Sequence, residues 1–202
     1  MQAANTGIFL RCTGKTDPRE ALQAVRSLGL SMVQISKLPD RFYTPEGARE
    51  FAGLLKETGV HASAVVAVYD GERYTDIPTI RETVGFVPAA TMAERVAYTR
   101  KCVDFAAALH VPIVTFHVGF LPAQGSDPVY QRVAGAVTDV ARYAATKGEL
   151  FLMVYNEQMR AAIEEGTRRA ERAADVTAAV ATLVGTVLDG AQDVHNAAVY
   201  QR

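Results

Sequence analysis

The sequence has no tryptophan, only two cysteines and almost no net charge. Its 21 basic and 22 acidic residues create no field of one sign that would attract nucleic acid or an anionic membrane surface. Cys12 and Cys102 match no metal or redox spacing, so we interpret both as buried thiols in a reducing, cytoplasmic environment. The composition favours a small, weakly charged ligand.

Long apolar runs and several catalytic motifs are also lacking. No run of about 18 apolar residues occurs, and the amino-terminal residues do not have the basic start and apolar core of a signal peptide. The glycine-rich dinucleotide pattern, the P-loop, the zinc-protease helix motif and the serine-hydrolase elbow are absent. These absences argue against a membrane span, a nucleotide cofactor, a zinc protease and a serine hydrolase.

Short apolar runs alternate with helix-like segments, the pattern of a parallel sheet with helical crossovers. The predicted strands are 7–12, 30–36, 61–69, 113–120 and 149–155. Helices are predicted to begin at N-cap signals, which are Asp17-Pro18, Thr44-Pro45, the capping box of Thr91 and Glu94, and Asp127-Pro128. Residues 70–90 are polar, contain prolines and are longer than a simple turn, which is typical of a functional loop.

Five β/α steps fall short of a closed (β/α)8 barrel, which usually needs about 250 residues. The predicted fold class is therefore α/β, with TIM-barrel-like repeated units in an incomplete barrel over residues 1–155. Residues 156–202 have no proline and are rich in alanine, arginine and glutamate, so we predict a helical C-terminal segment. That segment would pack on the partial barrel or on another chain.

His117 closes the fourth predicted strand, in the stretch Ile113-Val-Thr-Phe-His-Val-Gly-Phe120. Ligands collect at the carboxyl ends of parallel strands, and a neutral imidazole there could bind a metal, contact a substrate hydroxyl or exchange protons. A core histidine satisfied by backbone groups fits the position equally well. Gly119 would let the backbone turn sharply or approach a ligand closely.

The other candidate residues also follow predicted strands. The loop 69–76 holds Asp70 among three carboxylates, an arginine and two tyrosines, and it either closes over a polar ligand or is simply solvated. Arg11 and Lys15 follow strand one and would meet an anionic or polyhydroxylated ligand if they are not plain surface groups. Glu157 follows strand five, as an acid/base or, more simply, as a helix cap.

Residues 7–153 resemble the sugar phosphate isomerases and epimerases, which are xylose-isomerase-like TIM barrels and include the AP endonucleases. The similarity lies in an ordered set of phrases: Ala24-Val-Arg-Ser-Leu-Gly29, Val33-Gln-Ile35, Phe51-Ala-Gly-Leu-Leu-Lys-Glu-Thr-Gly-Val60, Phe105-Ala-Ala-Ala-Leu-His-Val-Pro112 and Phe116-His-Val-Gly-Phe120. The resemblance implies a small sugar or sugar phosphate as substrate, and a divalent ion (Mn²⁺, Mg²⁺, Co²⁺ or Zn²⁺) held by glutamate, aspartate and histidine. It also implies proton transfer through an enediolate.

In this resemblance His117 falls at the pocket, as a ligand of the substrate or the metal. The Glu-Thr-Gly phrase that relatives carry at strand five is replaced by Val154-Tyr155-Asn156, and no later metal ligands are found. Two hypotheses follow: an isomerase or epimerase in which Glu157 acts as acid/base and Arg11 and Asp70 bind substrate at the rim, or a truncated, inactive relative that binds a ligand or another subunit. Metal-dependent phosphodiester cleavage is disfavoured by the near-zero charge.

We expect the chain to self-associate, because a partial barrel leaves a sheet edge and an apolar interior to be covered. Light scattering on the purified protein should show a homo-oligomer. A monodisperse monomer would mean that the C-terminal segment closes the core.

Overall fold

The computed structural model of the protein describes residues 6–148 and the backbone of 151–156. The chain forms two compact units that alternate along the sequence. Within the described residues, unit 1 consists of residues 6–68, Val96–Phe116 and Asp139–Leu152, and unit 2 consists of Tyr69–Arg95, His117–Thr138 and residues 153–156. The predicted helical segment and Glu157 lie outside the described residues.

Five strands form one sheet, in which every strand lies beside the strand that precedes it in the sequence. They are β1 (Gly7–Phe9), β2 (Met32–Ser36), β3 (His61–Ala67), β4 (Ile113–Gly119) and β5 (Phe151–Asn156). The pairings of β1 with β2, β2 with β3 and β3 with β4 are parallel. This arrangement confirms the predicted α/β fold of repeated TIM-barrel-like units.

The helices of the described residues begin where local capping chemistry requires. They are α1 (Pro18–Ser27), α2 (Pro45–Thr58), α3 (Ile77–Thr83), α4 (Ala89–Ala108) and α5 (Pro128–Ala145). The Asp17 carboxylate accepts from the Glu20 N–H at 3.0 Å, and the Thr44 hydroxyl accepts from the Gly47 N–H at 3.1 Å. The predicted starts of α1, α2 and α5 are confirmed. None of these helices is long and apolar enough to cross a membrane.

The capping box predicted at Thr91 and Glu94 is wrong. Helix α4 already begins at Ala89, and the Thr91 N–H donates to the carbonyl of Pro88 at 3.3 Å. The Pro88 carbonyl thus accepts the first bond of the helix, a role that the prediction gave to Thr91.

Strand β1 ends at Phe9, three residues earlier than predicted, because a 3₁₀ turn follows it over Leu10–Thr13. The Thr13 hydroxyl donates to the Leu10 carbonyl at 2.8 Å, and this bond competes with strand pairing. The turn exposes Cys12, so the prediction that both cysteines are buried is wrong for this one. Cys102 is buried, and burial raises the pKa of its thiol to about 12.

Each unit has its own apolar core. In unit 1 the rings of Phe42, Phe51 and Phe105 pack edge to face, with centroids 5.6 and 5.7 Å apart. In unit 2 the rings of Tyr69 and Phe86 lie 5.8 Å apart and are both buried. Burial of these rings stabilises the packing within each unit.

Gly47 is predicted to be indispensable to the packing of α2. A Cβ built there would lie 2.0 Å from the Arg41 carbonyl oxygen and 2.6 Å from the Phe42 Cα. Both are backbone atoms, so the clash cannot be relieved by a change of rotamer. Gly47→Ala should therefore lower the free energy of unfolding by about 2 kcal/mol or more. Gly53 lies in the same helix with open space around it, so Gly53→Ala should stabilise by about 0.5–1 kcal/mol. Urea unfolding of both variants tests this, and equal effects would contradict it.

Candidate functional site

His117 lies at the carboxyl end of β4, where the sequence predicted it. Successive side chains of a strand point to opposite faces, and the neighbouring Val118 is 1% exposed whereas His117 is half-buried. The imidazole is thus on the less covered face of the strand. This position is accessible to a ligand, and it is also in contact with the loop that follows β3.

Tyr74, from that loop, contacts the imidazole directly. Its Oη lies 3.4 Å from His117 Nδ1, and the two rings meet edge to face with centroids 6.0 Å apart. Tyr74 is itself 45% exposed, so the contact is made at the surface of unit 2. The structure therefore brings together two of the predicted features, the histidine and the loop 69–76.

Glu72 links the Tyr74 hydroxyl to the backbone of Gly85. Tyr74 Oη donates to Glu72 Oε2 at 3.2 Å, and Glu72 Oε1 accepts from the Gly85 N–H at 2.9 Å. Both oxygens of the carboxylate are thus engaged. A continuous hydrogen-bonded chain runs from His117 through Tyr74 and Glu72 to the segment that precedes α4.

Arg95 binds the carbonyl group of the same residue, Gly85. Its guanidinium donates to the Gly85 carbonyl at 2.5 Å and to the Asp70 carbonyl at 3.2 Å, and it lies 5.4 Å from the Tyr69 ring centroid. Only 4% of Arg95 is exposed, and a buried charge needs such partners. Arg95 was not predicted as a site residue; its one signal in the sequence is a charged residue on the buried face of α4.

Two glycines allow the backbone before α4 to lie against the end of β4. The N–H groups of Phe86 and Val87 both donate to the Val118 carbonyl, at 3.0 and 3.2 Å. Gly85 has a φ of +70°, and a Cβ on it would lie 2.2 Å from the Val118 carbonyl carbon. Gly119 has a φ of +89°, and its Cβ would lie 2.4 Å from the Val84 carbonyl oxygen. The close approach predicted for Gly119 is thus to the backbone of the chain itself.

The loop between Tyr69 and α4 is ordered by its own polar groups. Asp76 caps α3 by accepting from the Thr79 N–H at 2.8 Å, and this bond lowers the pKa of its carboxyl group. The Thr83 hydroxyl accepts from the Arg73 N–H at 3.1 Å and donates to the Thr79 carbonyl at 2.7 Å. Of the three carboxylates predicted for this loop, Asp76 is therefore a helix cap.

The remaining predicted residues have different surroundings. The side chain of Asp70 is exposed, and its backbone carbonyl accepts from Arg95. Arg11 and Lys15 are exposed residues of unit 1, in and just after the turn that follows β1. Phe120 lies 5.1 Å from the Arg81 guanidinium, so it packs on α3. Glu157 lies outside the described residues.

The metal implied by the resemblance finds an incomplete set of ligands in the part of the chain that the structure describes. No group of three or more His, Cys, Asp or Glu side chains lies close enough there to hold an ion. His117 could supply one nitrogen ligand, whereas both oxygens of Glu72 already accept hydrogen bonds. The described residues alone do not form a metal centre.

A parallel sheet in which each strand lies beside the preceding one, with helices between the strands, is the arrangement of TIM-barrel-type proteins. The model of the xylose isomerase-like TIM barrel family matches residues 22–194, and the chain belongs to that family. The match extends past residue 153, where the resemblance was predicted to end, into the predicted helical segment. No curated protein gives a significant sequence match.

Solved structures share the fold. A xylose isomerase domain protein from Planctomyces limnophilus is 29% identical with a TM-score of 0.65, over 74% of this chain and 53% of that one. A D-psicose 3-epimerase from Clostridium cellulolyticum, solved with D-tagatose, is 16% identical with a TM-score of 0.50, over 73% and 50% of the two chains. A candidate xylose isomerase from Rhodospirillum rubrum is 19% identical with a TM-score of 0.54, over 75% and 54%. The chain thus spans about half the length of these structures.

Arg95 should dominate the stability of the loop in unit 2. Arg95→Ala removes two charge-assisted hydrogen bonds, each worth about 1.5–3 kcal/mol, and leaves the carbonyls of Gly85 and Asp70 without this donor. We expect a loss of about 3 kcal/mol in stability and faster amide hydrogen exchange over 70–86. The exposed Arg81→Ala is the matched control, which should cost less than about 1 kcal/mol. Similar exchange rates in both variants would refute the role of Arg95.

Proposed function

We propose that the protein is an isomerase or epimerase of a small polyhydroxylated carbonyl compound, a sugar or sugar phosphate. The observation that carries this proposal is the half-buried His117 at the carboxyl end of β4, in contact with the loop that follows β3. Ligands of barrel enzymes bind at these strand ends, and the loops there carry the chemistry. Membership of the xylose isomerase-like family supports the substrate class.

Such a reaction moves a proton at a carbon next to a carbonyl group. His117 would bind a substrate hydroxyl or exchange a proton with it, because an imidazole can do both near neutral pH. Arg11 and Asp70 are proposed substrate contacts through their exposed side chains, Arg11 toward an anionic group and Asp70 toward hydroxyl groups. Glu157 is the proposed acid/base.

A divalent ion, Mn²⁺, Mg²⁺, Co²⁺ or Zn²⁺, is part of the proposal. Such an ion would polarise the carbonyl and stabilise the enediolate when bound. The structure supports one of its ligands, His117. The others would have to come from residues outside the described part of the chain or from another subunit, so we assign no step of the reaction to the metal.

A non-catalytic relative that binds a ligand or a partner subunit is the second candidate. The observation in its favour is the end of β5, where Val154, Tyr155 and Asn156 carry no carboxylate. An isomerase of this family without an acid at that strand would need one from elsewhere. The two candidates differ in whether purified protein holds a metal and turns over a sugar.

Elemental analysis together with a sugar assay decides between the candidates. The intact protein should hold a stoichiometric divalent metal and interconvert ketoses, with D-tagatose as a first substrate because the related D-psicose 3-epimerase was solved with it. His117→Ala should lower kcat/KM by about a hundredfold or more and weaken metal retention. His61→Ala, an exposed histidine at the start of β3, is the matched control and should change neither.

Protein that is free of metal and inert toward ketoses, aldoses and their phosphates would overturn the enzymatic proposal. The same result would support the second candidate, a relative that binds a ligand or a partner subunit.

A further inference from the structure

The hydrogen-bonded chain at His117 has a defined direction. A carboxylate only accepts hydrogen bonds, and Glu72 accepts from the Gly85 N–H at Oε1 and from the Tyr74 hydroxyl at Oε2. A tyrosine hydroxyl has one hydrogen, and here it is donated to Glu72. Toward His117 Nδ1, at 3.4 Å, the Tyr74 oxygen can therefore only accept.

We propose that Glu72 and Tyr74 are positioning residues that fix His117 as the Nδ1–H tautomer. A neutral imidazole that donates through Nδ1 carries its accepting lone pair on Nε2. That nitrogen then accepts a hydrogen bond from a hydroxyl group, or takes its proton. The role of Nε2 toward a sugar hydroxyl rests on the proposed function, whereas the tautomer is inferred from the direction of the bonds between Glu72, Tyr74 and Nδ1.

The series of hydrogen bonds that begins at His117 ends at Gly85, whose backbone is held in place by several further bonds. Gly85 presents its N–H to Glu72 and its carbonyl to the buried guanidinium of Arg95 at 2.5 Å. The following N–H groups, of Phe86 and Val87, donate to the Val118 carbonyl, one residue after His117. The segment 85–87, which orients Glu72, is thus bound to the strand that carries the imidazole. Such support distinguishes an orienting shell from an incidental surface contact.

The structure also contains a matched pair for comparison. Tyr143 Oη donates to the Asp104 carboxylate at 2.8 and 2.9 Å, as Tyr74 Oη does to Glu72. No histidine takes part in these bonds. Tyr143→Phe thus removes the same type of hydrogen bond and leaves the imidazole untouched.

The ¹⁵N spectrum of the imidazole reads the tautomer directly. Protein labelled at its four histidines is measured at alkaline pH, where an imidazole is neutral, and the His117 signals are assigned with His117→Gln. In the native protein Nδ1 should give a protonated signal and Nε2 an unprotonated one. Tyr74→Phe should abolish this preference, and Tyr143→Phe should leave it unchanged.

Glu72→Gln provides a stricter test, because it should reverse the tautomer. The Gln carbonyl can still accept from the Gly85 N–H, but its amide N–H₂ now donates to the Tyr74 oxygen, which turns the tyrosine hydrogen toward Nδ1. His117 should then carry its proton on Nε2. This variant keeps the shape of the side chain, and the amide spectrum reports whether each variant is folded.

A native His117 protonated on Nε2 would overturn the proposal, as would a tautomer that neither Tyr74→Phe nor Glu72→Gln changes. Both results are independent of turnover. If the Nδ1–H tautomer is found and no sugar is converted, the proposed function fails and the orienting role of Tyr74 stands. If sugars are converted with His117 in the other tautomer, the orienting role fails and the function stands.

Discussion

Unit 2 depends on the close approach of two backbone segments, the one before α4 and the end of β4. The carbonyl of Val118 accepts from two successive N–H groups, and neither Gly85 nor Gly119 has room for a Cβ. Once the backbone is held there, the N–H and the carbonyl of Gly85 face away from regular pairing and must find side-chain partners. Glu72 and Arg95 are those partners. The polar cluster at His117 is thus a consequence of how tightly the chain returns to its own strand.

The elements predicted most accurately depend on residues that are neighbours in sequence. The side chains of Asp17 and Thr44 cap helices through N–H groups three residues ahead, so a short window contains the whole interaction. The same local pattern gave a wrong helix start at Thr91. The Thr91 N–H donates to the carbonyl of Pro88, three residues before it, so the helix has already begun there. The 3₁₀ turn after β1 was missed because the Thr13 side chain replaces strand pairing with a local bond.

For the candidate site, the sequence could indicate where a residue lies but not what it touches. The position of His117 at the carboxyl end of β4 was predicted correctly, because the apolar run before it marks a buried strand. Its contact with Tyr74 spans 43 residues, and the bond between Glu72 and Gly85 depends on a loop whose path no local pattern describes. Arg95 became interpretable only once the carbonyls beside it were known. A shared fold does not by itself define a reaction, and the chemistry here is argued from these contacts.

The strand order has a consequence for synthesis of the chain on the ribosome. Each strand pairs with the one made just before it, so β2 finds β1 already available, and β3 and β4 follow in turn. No strand of the growing sheet needs a partner that has not yet been made, so each pairing closes only the connection between two successive strands. Until its next neighbour emerges, however, the newest strand is an open edge. A sheet built in this order is therefore open to mispairing at one edge at a time.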